Sequence, residues 1–116
     1  MRILAGDSAQ LEPEFGILAG RWTQYPDIGD MPFGAMWCVT PPGGQSDPDQ
    51  HSQRELVVIV SGSAEVRAGG SQQTAHVEIA QTGNVVLLES EEQHVVVNRS
   101  DTDPLVTLNL YWELPD

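Results

Sequence analysis

The chain has 116 residues, carries 17 Asp and Glu against 5 basic residues, and has a formal charge of −12. That length allows one domain with one real core, and the charge leaves no basic stripe for nucleic acid and disfavours an anionic membrane surface. A single Cys cannot close an intramolecular disulfide, and the opening MRILAGDSAQLEPEF lacks the apolar run of a signal peptide or membrane anchor, so a soluble, cytoplasmic domain is expected.

In chain order, residues 1–15 read as an N-terminal arm or edge strand, and Ile17–Trp22 is a weak strand candidate. Short β-rich runs follow at Ala35–Thr40, Glu55–Ser61, Ala64–Ala68, Thr74–Ala80, Asn84–Leu88, His94–Arg99 and Leu105–Trp112. Turn residues separate them: Pro41-Pro42-Gly43-Gly44, Ser61-Gly62-Ser63, Gly69-Gly70, Thr82-Gly83-Asn84 and Ser100-Asp101. No helical period is sustained. The pattern predicts an all-β sandwich or barrel built as a single domain over residues 1–116.

Some strands are apolar on both faces. Leu56, Val57, Val58, Ile59 and Val60 run without a polar break, as do Val95, Val96 and Val97, and nearly so Leu105–Trp112. A small sandwich has one face of each sheet on its core, so the other apolar face needs cover. A second copy of the chain supplies it most simply, and a homodimer is predicted; the alternative is an N-terminal arm folded back over that face.

The residues with chemistry lie in two stretches. In the first, Asp49 and His51 are two apart and project to one side of an extended segment, and Glu55 shares that parity. A straight strand would separate Asp49 from Glu55 by about 20 Å, from a rise of ~3.3 Å per residue. Convergence on a metal ion therefore requires a bend between His51 and Glu55, which Ser52 and Gln53 allow. In the second stretch, after Gly83, His94 opens a strand with Asn98 on the same face.

These residues resemble the paired motifs of the cupin superfamily, G-x5-H-x-H-x3-E-x6-G and G-x5-P-x-G-x2-H-x3-N. Gly43, His51, Glu55 and Gly62 stand at the spacing of motif one, residues 43–62, and Gly83, His94 and Asn98 at that of motif two, residues 83–98. The resemblance spans roughly Phe33 to Trp112 and implies a double-stranded β-helix, or jelly-roll barrel. It also implies a site for one divalent ion, Zn or Fe(II) with Mn as a further option, on Asp49, His51, Glu55 and His94. Two departures stand out: Asp49 occupies the position of the family's first metal His, and Glu89 and Glu91 replace the Pro and Gly of motif two. Two imidazoles and two carboxylates suit Zn, Fe(II), Mn or Co. With Asp49 swung out, His51, Glu55 and His94 would resemble a two-His-one-carboxylate triad.

Around this set, Glu55 is a candidate proton carrier. Asn109 and Tyr111 are candidates to orient a ligand if the polar face of the last strand, Thr107, Asn109 and Tyr111, looks into the barrel; otherwise they face solvent. Asn98 is expected to brace a loop, Cys38, Trp37 and Trp112 to be core residues, and His76, Arg21 and Arg54 to be at the surface, the alternative for the two arginines being carboxylate-binding groups. Glu89, Glu91 and Glu92 read as a solvated charge run. The family resemblance implies an enzyme acting on a small metabolite, with a plain binding module and an Fe(II) dioxygenase as the competing readings. A narrower similarity, in MWCVTPPGGQSDPDQHSQRE and a C-terminal Tyr-Trp, is to cupin modules that accompany methionyl-tRNA-synthetase-like proteins in bacterial natural-product pathways. There the implied chemistry is Zn-assisted rearrangement with N–N bond formation.

Overall fold

The structure, a computed structural model, describes residues 1–5, 11–69 and 75–115. Among these residues nine strands form two sheets: β1 Glu12–Glu14, β2 Ile17–Arg21, β3 Gly34–Thr40, β4 Arg54–Ser61, β5 Ser63–Ala68, β6 His76–Gln81, β7 Val85–Leu88, β8 His94–Val97 and β9 Leu105–Trp112. One 3-10 turn, Trp22–Gln24, takes the last residue of the weak candidate Ile17–Trp22. The larger sheet runs β1-β2-β3-β9-β4-β7 and the smaller β6-β5-β8, all pairings antiparallel. The expected strand start at Thr74 lies outside the described residues.

Alternation sets what faces inward. On β4, Glu55, Val57 and Ile59 are buried while Leu56 and Val58 between them are not. Val57 and Ile59 join Ala64, Val66, Ala80, Leu88 and Leu105 in the main core, and Ala19, Met36 and Cys38 form a second, smaller one. On β9 the inward set is Leu105, Thr107 and Asn109, so the polar face of that strand looks into the barrel. The hairpin between β4 and β5 turns at Gly62, whose φ of 104° suits glycine and whose missing Cβ admits the Pro104 carbonyl and Leu105.

The outward face of the larger sheet is apolar. Leu56 opposes Leu110 and Val58 opposes Leu108, flanked by Val85 and Leu87, the last two exposed. Over β3, Trp37 is covered by Trp22 at 6.0 Å and donates to the Tyr25 hydroxyl. The start of the chain lies on that same side: Tyr25 donates to the Ala5 carbonyl, and Arg2 to the carbonyls of Pro26 and Asp27. Over β4 and β9, Pro32 and Phe33 flank Leu56 and Leu110, which are half-buried like Val58 and Leu108, while Val85 and Leu87 on β7 stay exposed.

Candidate metal centre

Two stretches of chain converge at one end of the barrel. Residues 44–49 run beside β8: Ser46 N–H donates to Val96, Asn98 N–H to Gly44, and Asp49 and His94 exchange backbone hydrogen bonds at 3.1 and 2.9 Å. Motif one is thus laid against motif two, and an added bridge pairs Gln45 with Val97. The chain then bends at His51–Gln53, as convergence demands, and the loop before β8 fastens the bend. Glu91 N–H donates to the His51 carbonyl at 2.7 Å, and Ser90 Oγ to the Ser52 carbonyl at 2.5 Å.

One carboxylate oxygen of Asp49 and one ring nitrogen each of His51 and His94 lie within 4.8 Å of one another. Asp49 Oδ2 is 3.9 Å from His51 Nε2 and 4.0 Å from His94 Nε2. The imidazoles are oriented from behind: His51 Nδ1 sits 2.9 Å from the Gln53 carbonyl and His94 Nδ1 3.0 Å from the Glu92 carbonyl. A carbonyl only accepts, so each Nδ1 carries the hydrogen and each Nε2 turns its lone pair to the cluster. Glu55 stands beside this cluster, with Oε1 3.1 Å from His51 Nε2. An imidazole lone pair against a carboxylate is repulsive until a cation stands between or beside them, so the donor set fits a divalent ion.

Glu55 is buried and held from β9. Asn109 Nδ2 donates to Glu55 Oε2 at 2.8 Å, and Thr107 Oγ1 donates to Asn109 Oδ1 at 2.6 Å. The Asn109 amide is therefore spent on Glu55, which makes it a positioning residue. Tyr111 does not line the cavity; it packs over Gly34, where a Cβ would overlap its ring, and beside Ala19, Met36 and Cys38. Asn98 is buried and braces the loops, donating to the carbonyls of Thr40 and Asp103 and accepting from Ser100 N–H.

The cluster opens into a small cavity of about 40 Å³, open to solvent on one side. Phe15, Ile17, Met36, Cys38 and Val96 make its apolar wall, and Ser46, Asp47, Thr107 and Asn109 its polar one. Cys38 is core-like yet faces this space, and burial pushes its thiol up to about 12. The contributions of Phe15, Ile17 and Asp47 were not legible from motif spacing. Phe15 arrives through a tight β1–β2 turn with φ of 56° at Phe15 and 76° at Gly16, and its carbonyl accepts from Asp47 N–H at 2.8 Å. Arg21 is half-buried, about a third of its side chain exposed, and binds a carboxylate of this chain in a two-pronged pair with Glu14. Arg54 pairs with Glu89 across the loop before β8, and the His76 side chain is exposed beside Glu78.

The model of the cupin domain matches residues 36–111. The chain belongs to the cupin family. None of the curated proteins matches it. Among solved structures, this cupin is similar to a cupin 2 conserved barrel domain protein from Salinispora arenicola, with TM-score 0.82, 28% identity, and 97% of this chain and 89% of that one covered. It shares its fold with the plu4264 protein of Photorhabdus luminescens, with TM-score 0.80, 20% identity, and 97% and 87% of the chains covered. A predicted oxalate decarboxylase from Thermotoga maritima follows, with TM-score 0.76, 16% identity, and 97% and 100% covered. Among the described residues, no helix is long and apolar enough to cross a membrane.

Proposed function

We propose that this cupin is a metal-dependent enzyme acting on a small metabolite, with Asp49, His51 and His94 holding one divalent ion, Zn or Fe(II). The observation that carries the reading is the pair of imidazoles, each tied at Nδ1 to a backbone carbonyl and each presenting Nε2 to the same carboxylate. When bound, such an ion supplies Lewis acidity toward a carbonyl or a heteroatom of the substrate. The chain's own residues supply the rest. Glu55, fixed by Asn109, takes or gives a proton at Oε1, or adds a fourth ligand. Met36, Cys38 and Val96 keep water from the inner wall. Isomerisation, cyclisation and rearrangement are reactions of this kind, including N–N bond formation in which the N–O bond of an N-hydroxylated amine breaks and its oxygen leaves.

A second reading is favoured by the cluster itself, which holds two His and one carboxylate within 4.8 Å, the ligand set of Fe(II) oxygenases. Elemental analysis of tag-free protein beside His94→Ala tests the metal reading. About one equivalent of metal, lost in the variant, is expected; full metal content in His94→Ala overturns the assignment. O₂ uptake with turnover then separates a dioxygenase from non-redox chemistry.

We further propose that the apolar outward face of β9, β4 and β7 is covered by a second copy of the chain. The face carries Leu56, Val58, Leu108 and Leu110 at its centre and no carboxylate there, which lets two acidic chains meet. Sedimentation should show a dimer that Leu108→Asp converts to a folded monomer. A monomeric wild type at micromolar concentration excludes it.

A further inference from the structure

The metal-centre cavity has an unusual charge inventory. Asp47, Asp49 and Glu55 line it, and no arginine does. The chain has no lysine, and its five basic residues all fall among the described residues. Four are engaged elsewhere: Arg54 with Glu89, Arg67 and Arg99 with Glu65, and Arg2 with the Pro26 and Asp27 carbonyls.

Only Arg21 stands beside the cavity wall. It opposes Met36 in the β2–β3 ladder, and its guanidinium carbon lies 5.8 Å from the Phe15 ring centroid. Both Met36 and Phe15 line the cavity. This one cation is cancelled by Glu14, which takes both of its terminal nitrogens, one of them at 2.7 Å. The pair is near enough to act on the Cys38 thiol. Burial dominates the upward shift there, Glu55 adds to it and a Thr107 hydrogen bond opposes it, and Arg21 and Glu14 act last and in opposite directions. Next to Glu14, the Phe15 carbonyl accepts from Asp47 N–H.

We propose that Glu14 is a specificity-determining residue: by cancelling Arg21 it leaves the cavity wall without a free side-chain cation, so the protein walls of the site select a neutral or amine-bearing ligand with an apolar portion over a carboxylate anion. The inference rests on the proposed function only in taking this cavity as the ligand site. A bound divalent ion offsets the charge of Asp49 and Glu55, and Asp47 at the mouth remains to meet an ammonium group. Phe15, Ile17 and Met36 take the hydrocarbon portion. Small dicarboxylates such as oxalate find no arginine fork here.

The test is calorimetric titration of benzylamine, benzyl alcohol, benzoate and oxalate into zinc-loaded and metal-free protein, with zinc content measured separately. In the metal-free wild type, the amine and the alcohol should bind about tenfold or more tighter than either anion, whereas in the zinc-loaded protein the carboxylates also have the ion as a ligand partner. Glu14→Gln frees Arg21 and should raise benzoate affinity by about tenfold, whereas Arg21→Gln should shift preference further toward the amine. The proposal is overturned if benzoate or oxalate binds the metal-free wild type as tightly as benzylamine. It is equally overturned if neither amine nor alcohol binds, or if anion affinity ignores both substitutions. Zinc bound without this charge order defeats the proposal alone; the charge order in a protein that binds no zinc defeats the metal reading alone.

Discussion

The two ends of the barrel interior are equally buried and chemically opposite. At the core end, Val57, Ile59 and Leu105 are 0–1% exposed, and at the cavity end Glu55, His94 and Asn109 are 5–7% exposed, often on the same strands. Apolar burial at the core end is non-directional and stabilises in proportion to area. Polar burial at the cavity end is tolerated only because each group has a partner: Thr107 holds Asn109, Asn109 holds Glu55, and backbone carbonyls hold both imidazoles. The lesson is that one strand, such as β4, can be a stabilising element at Ile59 and a pre-organised ligand at Glu55. Substitutions should therefore separate stability from metal binding according to the end they touch.

The largest effect on stability is expected from Leu105→Ala, which removes a fully buried side chain at the core end and should cost about 3 kcal/mol. Denaturant unfolding should show that loss while zinc stoichiometry of the folded fraction stays unchanged. A variant that loses metal in proportion to stability would erase the distinction between the ends. Asn109→Ala works in the other direction. It frees Glu55 Oε2 and should lower metal affinity about 10–100-fold, by loss of an outer-shell partner. Its stability cost should be about 1–3 kcal/mol, smaller than or equal to the core-end loss. Competition with a chelator reads the affinity; unchanged affinity would show that Glu55 needs no orientation.

Much of this division was legible in the sequence. The all-β class followed from short β-rich runs between turn residues, and β3, β4, β7 and β9 begin and end within one or two residues of their expected places. Asp49, His51 and His94 were legible because motif spacing fixes which residues a bent strand and its neighbour bring together. Three features were not. Whether Asn109 faced inward depended on which side of β9 meets the core, and alternation alone is symmetric. The role of Tyr111 depended on a contact with Gly34 from a strand distant in sequence. Glu14 and Phe15 were hidden in what read as an arm, because the turn that brings Phe15 to the cavity uses it at positive φ, a position where glycine or asparagine is the usual signal.

A departure from the motif sharpens the cavity end. Glu91 stands where the family pattern has glycine, yet it keeps a φ of 63° and donates its N–H to the His51 carbonyl. A side chain in that region costs about 1–2 kcal/mol relative to glycine. Glu91→Gly should therefore stabilise by about 1 kcal/mol, after the greater backbone entropy of glycine in the unfolded chain. Thermal unfolding measures it, and metal affinity should hold or rise, since the bend at His51 is retained. A destabilised Glu91→Gly would mean that its side chain has a role at the mouth which outweighs the backbone term.

The smallest expected effect is the most local one. Arg21 hydrogen-bonds Glu14 and holds its carboxyl below the usual 4.5, so the pair contributes stability above that pH, and the contribution is lost as pH falls through the depressed value. Both side chains are about a third exposed, at 35% and 36%, so screening limits the term to below about 1 kcal/mol. The stability difference between wild type and Glu14→Gln should thus be constant from pH 7 to 5 and shrink toward zero below pH 4.5. Hydrogen exchange locates it: amides of the β1–β2 hairpin and the β2–β3 ladder should lose protection on acidification, while those pairing β4 with β9 keep theirs. Uniform loss across both ladders would mean that the hairpin carrying Glu14 and Phe15 unfolds only with the core, and that the two ends of the barrel are one cooperative unit.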